Sequence, residues 1–287
     1  MLITGARGMV GRALDDHCRA LGDQVFAYAH QSLDITNPEL VLSTFRRDKP
    51  DVVINCAAWT DVDGCELDHA RAFLANASGP ENLALASRNI DAGLITISTD
   101  YVFEGSKEGF YTQRDQPNPQ SVYGAAKLEG ERRAQTAHAR TTVVRSGFIF
   151  GPGGSNFLST VLQRARRGEP IKAIGDAYGT PTFSLDLAAR LRELAQLDLP
   201  GIFHVVNSGE GASFAEFTHA VLDEGGCSDT PLDLVGMKEL NRPAPRPQNS
   251  RLKCLMSAAL GLAPLPFWQD AVRNFVAQES RTVVAGK

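Results

Sequence analysis

Tyr123 and Lys127 stand four residues apart in Tyr-Gly-Ala-Ala-Lys. On a helix that spacing puts the phenol and the ammonium one turn apart on the same face. A cation so placed favours phenolate over phenol, which makes the tyrosine a usable acid although its reference pKa is about 10. Alone, Tyr-x-x-x-Lys arises often by chance and describes a solvated helix face equally well. A second group, Ser98-Thr99-Asp100, closes a β-rich run ahead of that helix and sets hydroxyls at a strand end. The third group is Gly5-Ala6-Arg7-Gly8-Met9-Val10-Gly11, which follows the first strand and opens a helix. Glycines there allow a tight turn and let a pyrophosphate approach backbone N–H groups at the positive helix end. A strand-to-helix turn that merely needs glycine has the same spacing. The three groups make chemistry only if the elements between them bring all three to one crevice.

The elements do predict such a crevice. Short β-rich runs at 1–4, 24–28, 52–57, 94–98 and 142–145 alternate with helical patterns at 11–21, 38–47, 68–89 and 121–138. That alternation implies βαβ units and a doubly wound parallel sheet of the Rossmann kind, in which right-handed crossovers leave the carboxyl ends of the strands as a shared crevice. Beyond residue 150 the texture changes. Gly151-Pro152-Gly153-Gly154 breaks the pattern, then come further helices, a strand at 202–207 and the Pro-rich Arg242-Pro243-Ala244-Pro245-Arg246-Pro247. The amphipathic stretch 184–195 has the pattern to return to the sheet. The expected organisation is a dinucleotide-binding domain over 1–150, rejoined by parts of 184–210, with 151–287 mainly a smaller α/β substrate-binding lobe. No internal repeat interrupts it.

Composition excludes several classes. The chain of 287 residues, 43% hydrophobic and 22% charged, is long enough to bury a sizeable core. Lys plus Arg number 29 and Asp plus Glu 33, a net charge of −4, which offers no global attraction to nucleic acid. No apolar run reaches the roughly 20 residues that cross a bilayer, and no basic leader precedes an apolar segment, so no membrane partner and a cytoplasmic location are expected. The opening strand is short, which leaves room for a few natural residues before Met1. Cys18, Cys56, Cys65, Cys227 and Cys254 include no Cys-x-x-Cys pair and read as thiols. Cys65 with His69 is the one close metal-like pair, short of the four clustered ligands a zinc site needs, so no metal is expected.

The glycine turn, Ser98-Thr99-Asp100-Tyr101-Val102-Phe103, the run from Val122-Tyr123 to Gly130-Glu131, and Asn249-Ser250-Arg251-Leu252 together resemble the extended short-chain dehydrogenase/reductases. Among these the similarity is to the dTDP-4-dehydrorhamnose reductase family. Leu33-Asp34-Ile35-Thr36, Asn55-Cys56-Ala57-Ala58-Trp59-Thr60-Asp61-Val62-Asp63 and Asp176-Ala177-Tyr178-Gly179-Thr180-Pro181-Thr182 also fit it, so the likeness runs from residue 1 to about 255. The resemblance implies Thr99, Tyr123 and Lys127 as the catalytic set. It puts Gly5, Gly8, Met9, Val10 and Gly11 at the cofactor pyrophosphate, Asp34 and Ile35 at the adenine, and Ala57, Ala58, Trp59 and Thr60 on the cofactor's inner side. Val62, Asp100 and Tyr101 would face a sugar nucleotide. Phe148 stands where this family commonly has a tryptophan over the sugar, which keeps an aromatic face but shrinks it. Arg251 is the favoured cation for the nucleotide diphosphate, with Arg242 and Arg246 open between that role and a solubilising loop.

The implied reaction is reduction of the C4 ketone of a nucleotide-bound 4-keto-6-deoxysugar, most simply dTDP-4-dehydro-L-rhamnose to dTDP-L-rhamnose. NADPH is the expected cofactor, with NADH possible, because Tyr28-Ala29-His30 ends strand two without the carboxylate that would repel a 2′-phosphate. Arg7 and His30 are the residues placed to attract one. A 4,6-dehydratase is the poorer reading, since its relatives carry Thr-Asp-Glu where this chain has Thr99-Asp100-Tyr101. From another class, the non-catalytic NADP-binding regulatory subunit of methionine adenosyltransferase resembles the same group; turnover of a 4-keto sugar nucleotide separates the two. Some family members form a magnesium-bridged dimer through an acidic residue just past the glycine turn, where this chain has Arg12-Ala13. The chain is expected to be a monomer or a homodimer.

Overall fold

A computed structural model describes residues 1–285, with side chains through residue 281. Residues 286 and 287, the end of the expected second lobe, lie outside the described residues. Along the chain run β1 (Leu2–Thr4), α1 (Met9–Ala20), β2 (Phe26–Tyr28), α2 (Pro38–Asp48), β3 (Val52–Asn55), α3 (Val62–Leu67), α4 (His69–Phe73), a π turn (Leu74–Ser78) and α5 (Gly79–Asn89). Then come β4 (Gly93–Thr99), α6 (Val122–Ala137), β5 (Thr141–Ser146), β6 (Ile149–Phe150), α7 (Phe157–Arg166), β7 (Ile171–Ile174), β8 (Tyr178–Gly179) and β9 (Thr182–Phe183). The remainder is α8 (Ser184–Leu197), β10 (Gly201–His204), β11 (Ala212–Ser213), α9 (Phe214–Glu224), β12 (Leu232–Val235), α10 (Leu255–Ala259) and α11 (Trp268–Ala285).

Strands this short hold because both faces of the sheet are covered. Six parallel strands lie in the order β10-β5-β4-β3-β1-β2. Alternate residues supply the two cores, as the period of a strand requires. Ile3, Ile54, Ile95 and Val144 meet Leu14 of α1 and Leu187 and Leu191 of α8. Leu2, Val53 and Leu94 meet Val41 and Phe45 of α2 and Leu83 of α5 on the opposite face. The sequence pattern at 184–195 becomes α8 on the sheet, and β10 pairs with β5 as its sixth strand. The rest of the second half packs α7, α9 and α11 around Phe150, Phe183, Phe217 and Phe275, whose rings meet mostly edge-on. Among the described residues no helix is long and apolar enough to cross a membrane, and all five cysteines are free.

The helix expected over 68–89 is divided. Asp68 caps α4 by accepting from Arg71 N, and the π turn then offsets the chain before α5. The offset lets α6 come close: a Cβ on Gly130 would lie 2.1 Å from Asn76 O. Period counting reads this stretch as continuous because a π turn inserts one residue without interrupting helical hydrogen bonding.

Candidate active site

At the carboxyl edge of the sheet the two lobes enclose a cavity of about 880 Å³. Its first wall is the glycine turn. Gly5 has φ +64, where glycine is favoured, and a Cβ there would come within 2.6 Å of Ala57 N. Gly11 is needed for closeness instead, since its Cβ would lie 2.3 Å from Gly5 O. The turn delivers Gly8 as the N-cap of α1 with no side-chain cap and no acidic residue in the first turn. Arg7, Gly8, Met9, Val10 and Gly11 all line the cavity. This glycine-walled helix end, with cations beside it, fits the pyrophosphate of a dinucleotide.

Around the end of β2, Arg7 Nη1 reaches Gln31 Oε1 at 3.4 Å, so its guanidinium lies over the loop that would meet the adenosine ribose. His30 is exposed, with Nδ1 3.9 Å from Asp34 Oδ1. Asp34 takes hydrogen bonds from Thr36 N and Oγ1, and Ile35 is buried against the site of Gly79; none of the three lines the cavity. Ala57, Ala58, Thr60 and Val62 do line it. Trp59 does not: its backbone is held from both sides by the Asn76 side chain, and its ring lies beneath the Arg71 guanidinium at 4.2 Å.

The chemical end is built by β4 and α6. Thr99 closes β4, and its hydroxyl donates to Asp100 Oδ1 at 3.0 Å while accepting from Tyr101 N at 3.2 Å. Ser121 caps α6 by accepting from Gly124 N, and a Cβ on Gly124 would strike Tyr101 O at 2.3 Å. Only glycine after Tyr123 lets the phenol approach Thr99 and the edge of Tyr101, whose ring centroid is 6.0 Å away. One turn on, Lys127 Nζ donates to Ile97 O at 2.7 Å. Thr99, Asp100, Tyr101, Tyr123 and Lys127 all line the cavity.

Burial governs their titration. Desolvation drives the Tyr123 phenol well above its ordinary value, and the neighbouring Thr99 hydroxyl only partly offsets this. The expectation that Lys127 depresses Tyr123 is therefore corrected: burial outweighs the cation, whose Nζ gives one of its three donors to Ile97 O, and holds Tyr123 as a phenol. Burial pulls Lys127 down to about 8 against the raising influence of Glu131 and Cys56. Burial also lifts Asp100 to about 6, opposed by the Ser250 and Thr99 hydroxyls. Its Oδ2 has no hydrogen-bond partner.

The second lobe closes the far side. Phe148, at φ +45, tilts against Phe214 at 4.3 Å and presses on Gly179, where a Cβ would meet its ring at 2.3 Å. It lines the cavity. Arg251 does not, because Asn249 Oδ1 takes its Nε at 2.9 Å and its guanidinium lies 5.6 Å from the rings of Phe110 and Tyr178. Arg242 and Arg246 do line the cavity, Arg246 in a two-pronged pair with Asp63 at 2.9 Å and Arg242 at 3.5 Å from the same carboxylate.

Several supporting residues escaped the sequence reading. Asn55 accepts from Thr4 Oγ1 and Ala57 N and donates to Thr96 Oγ1, lacing the ends of β1 and β3 to the middle of β4. Under α6, Glu131 binds Arg145 Nη2 at 2.6 Å and Ser98 Oγ at 2.5 Å, all three buried. The available signal was a charged residue inside the apolar run Thr-Thr-Val-Val-Arg-Ser, with an acid one turn past Lys127 to receive it.

A family model described as the RmlD substrate binding domain matches residues 1–281. The chain belongs to this family. It is 38% identical over 280 residues to the dTDP-4-dehydrorhamnose reductase of Mycolicibacterium smegmatis, covering 96% of this chain and 85% of the relative. It is 34% identical to the spore coat polysaccharide biosynthesis protein SpsK of Bacillus subtilis, covering 98% of each. Among solved structures, the dTDP-4-dehydrorhamnose reductase of Bacillus anthracis in complex with NADP superposes with a TM-score of 0.93 at 31% identity, covering 96% of this chain and 98% of that one. The RmlD likeness thus spans both lobes, and with them both walls of the cavity.

Proposed function

We propose that the protein reduces the C4 ketone of a nucleotide-bound 4-keto-6-deoxysugar with NADPH, most simply dTDP-4-dehydro-L-rhamnose to dTDP-L-rhamnose. The observation that carries this reading is the buried group of Thr99, Tyr123 and Lys127 in one cavity with the glycine cradle. Gly8, Met9 and Val10 would hold the pyrophosphate through the N-terminus of α1, and Ala57, Ala58 and Thr60 would bound the inner side of the cofactor. When bound, the dihydronicotinamide supplies hydride to the carbonyl carbon.

The chain's own part is the proton. Tyr123, kept protonated by burial, donates its phenolic hydrogen to the carbonyl oxygen as negative charge gathers there. Thr99 turns its hydroxyl from Asp100 to that oxygen and so orients the ketone. Lys127, with one donor on Ile97 O, turns another to a cofactor ribose hydroxyl. Asp100 Oδ2, buried without a partner, accepts from a sugar hydroxyl. Phe148 offers the sugar its ring face, and Arg242, half exposed and only loosely tied to Asp63, meets the diphosphate. The absence of an acid at Tyr101 leaves no second carboxylate there for dehydration. Arg7 beside Gln31 favours the 2′-phosphate of NADPH over NADH.

The test is turnover of dTDP-, UDP- and GDP-linked 4-keto-6-deoxysugars with NADPH and with NADH. Steady NADPH oxidation with a dTDP sugar is expected. Cofactor binding without turnover of any of them would leave a binding protein in place of a reductase.

A further inference from the structure

Three side chains on one face of α6 are buried at successive turns: Tyr123, Lys127 and Glu131. The first two line the cavity and belong to the proposed chemistry; the third, equally buried, does not line it. Glu131 nevertheless has both carboxylate oxygens engaged. Oε2 accepts from Arg145 Nη2 at 2.6 Å, Oε1 accepts from Arg145 Nε at 3.0 Å, and Ser98 Oγ donates to Oε1 at 2.5 Å. Ser98 and Arg145 face each other in the β4–β5 register, so one carboxylate clamps two adjacent strands to the helix. The residue before Ser98 presents the carbonyl that takes Lys127 Nζ, and the residue after it is Thr99. The end of β4 is therefore tied to α6 at consecutive residues, by a cation through Ile97 and by an anion through Ser98.

We infer that Glu131 is the positioning residue of the site: clamped by Arg145 and Ser98, it fixes Thr99 against Tyr123 and keeps Lys127 in its charged form. The inference rests on the reductase reading for what Lys127 does, and on geometry for how Glu131 governs it. A buried ammonium needs a nearby anion to stay protonated. Among the carboxylates around α6, Glu131 is the one that acts on Lys127. From α3, Cys65 is a thiol held up to about 11 by burial, and Glu66 is taken by Val122 N at the start of the helix. From the end of β3, burial pushes the Cys56 thiol up to about 12. From α5, Glu81 pairs with Arg133 on a half-exposed part of α6, and from the π turn comes only the amide of Asn76. Asp100 lies beside Tyr123, and from β5 comes the cation Arg145, with the buried and neutral His204 of β10 next in register. Glu131 is the anion that raises Lys127 against the burial that brings it to about 8.

The sign follows directly. Lys127 is charged below its folded pKa, so removing the Glu131 charge moves its loss of charge to lower pH. The experiment measures NADP⁺ affinity and kcat from neutral to alkaline pH for the whole protein, for Glu131→Gln and for Glu131→Asp. Glu131→Gln is expected to shift the alkaline limb of both profiles down by about one pH unit, and Glu131→Asp, which restores the charge, to return it most of the way. If the unpaired Arg145 keeps Glu131→Gln from folding, the double variant Glu131→Gln/Arg145→Met carries the same test, because it removes the ion pair without leaving either charge alone. An alkaline limb unmoved in a folded variant lacking the Glu131 charge would overturn the inference and leave Glu131 a packing residue. Wild-type protein that shows the limb in NADP⁺ affinity but reduces no sugar nucleotide would instead overturn the substrate reading while Glu131 is still judged on the binding limb.

Discussion

The two walls of the cavity are held by different means. On the sheet side, every group assigned to chemistry hangs on a strand end or the first turns of a helix, and buried polar contacts fix it from behind: Asn55 across β1, β3 and β4, and Glu131 across β4, β5 and α6. On the other side, the Pro-rich stretch carrying Arg242 and Arg246 has no strand or helix between a 3₁₀ turn at Met237–Leu240 and α10. It is tied to the first lobe through Asp63, by the mostly buried two-pronged pair of Arg246 and by the half-exposed Arg242, whose kind of pair is worth roughly 0 to 1 kcal/mol. On the proposed function the difference divides the labour: a rigid wall where proton and hydride would meet within tenths of an ångström, and an adjustable wall that would recognise a nucleotide. Changes to the first wall should damage the chemical step, and changes to the second should damage affinity.

Tyr123→Phe gives the largest effect. It keeps the ring and its packing but removes the donated proton, so kcat should fall by about 100-fold or more while NADPH binds nearly as before. Stopped turnover with intact cofactor titration is the expected pair of results; near-normal turnover would mean another group supplies the proton and would break the contrast at its root.

The pH profile sharpens the contrast within the first wall. Asp100 is a carboxylate only above about 6, and Lys127 is charged only below about 8. With Tyr123 protonated throughout this range, kcat/KM should form a plateau between these values and fall about tenfold per pH unit on either side. The acid limb should vanish in Asp100→Asn. If it persists there, a different acid controls substrate capture.

Arg7→Ala should weaken NADPH by about 10-fold and leave NADH nearly unchanged, since a charge-assisted hydrogen bond to the 2′-phosphate is worth roughly 1.5 to 3 kcal/mol when well formed. Equal losses for the two cofactors, measured by direct titration, would move Arg7 to the pyrophosphate.

The same division marks what could be read from the amino-acid sequence. The parallel sheet, the glycine turn and the helix carrying Tyr123 and Lys127 were legible because their signals are local: period, a glycine spacing, and residues one helical turn apart. The two-residue strands β6, β8, β9 and β11 carry no such signal, since each exists only through a distant partner. Burial was equally hidden. Four-residue spacing suggested that Lys127 lowers Tyr123, whereas desolvation dominates once the sheet covers both, and no spacing reports desolvation. Glu131 and Arg145 meet across 14 residues and one turn of chain, with Ser98 a further strand away. Their convergence depends on the β4–β5 register, which the sequence does not print.

The smallest effect decides the second wall. Asn-Ser-Arg-Leu made Arg251 the favoured diphosphate ligand on sequence grounds, yet its guanidinium is held by Asn249 and lies near Phe110 and Tyr178, outside the cavity. Arg246 faces the cavity but is taken by both oxygens of Asp63. Arg242 remains, with a side chain 48% exposed and a contact to Asp63 of only 3.5 Å, a cation that can leave its partner for a diphosphate at little cost. Arg242→Ala should therefore raise KM for the nucleotide sugar about 5-fold with kcat almost unchanged, the pattern of an interaction made equally in the ground and transition states. Arg251→Ala should leave KM within about 2-fold and show instead as a modest loss of thermal stability from the packing of the Asn249 segment. The arginine effects should also shrink as salt rises, because Arg242 acts from a solvated position and is screened. A reversed result, with KM raised by Arg251→Ala and untouched by Arg242→Ala, would mean that substrate binding rearranges the Pro-rich wall until Arg251 enters the cavity, and the second wall would then be mobile in a way its resting ion pairs conceal.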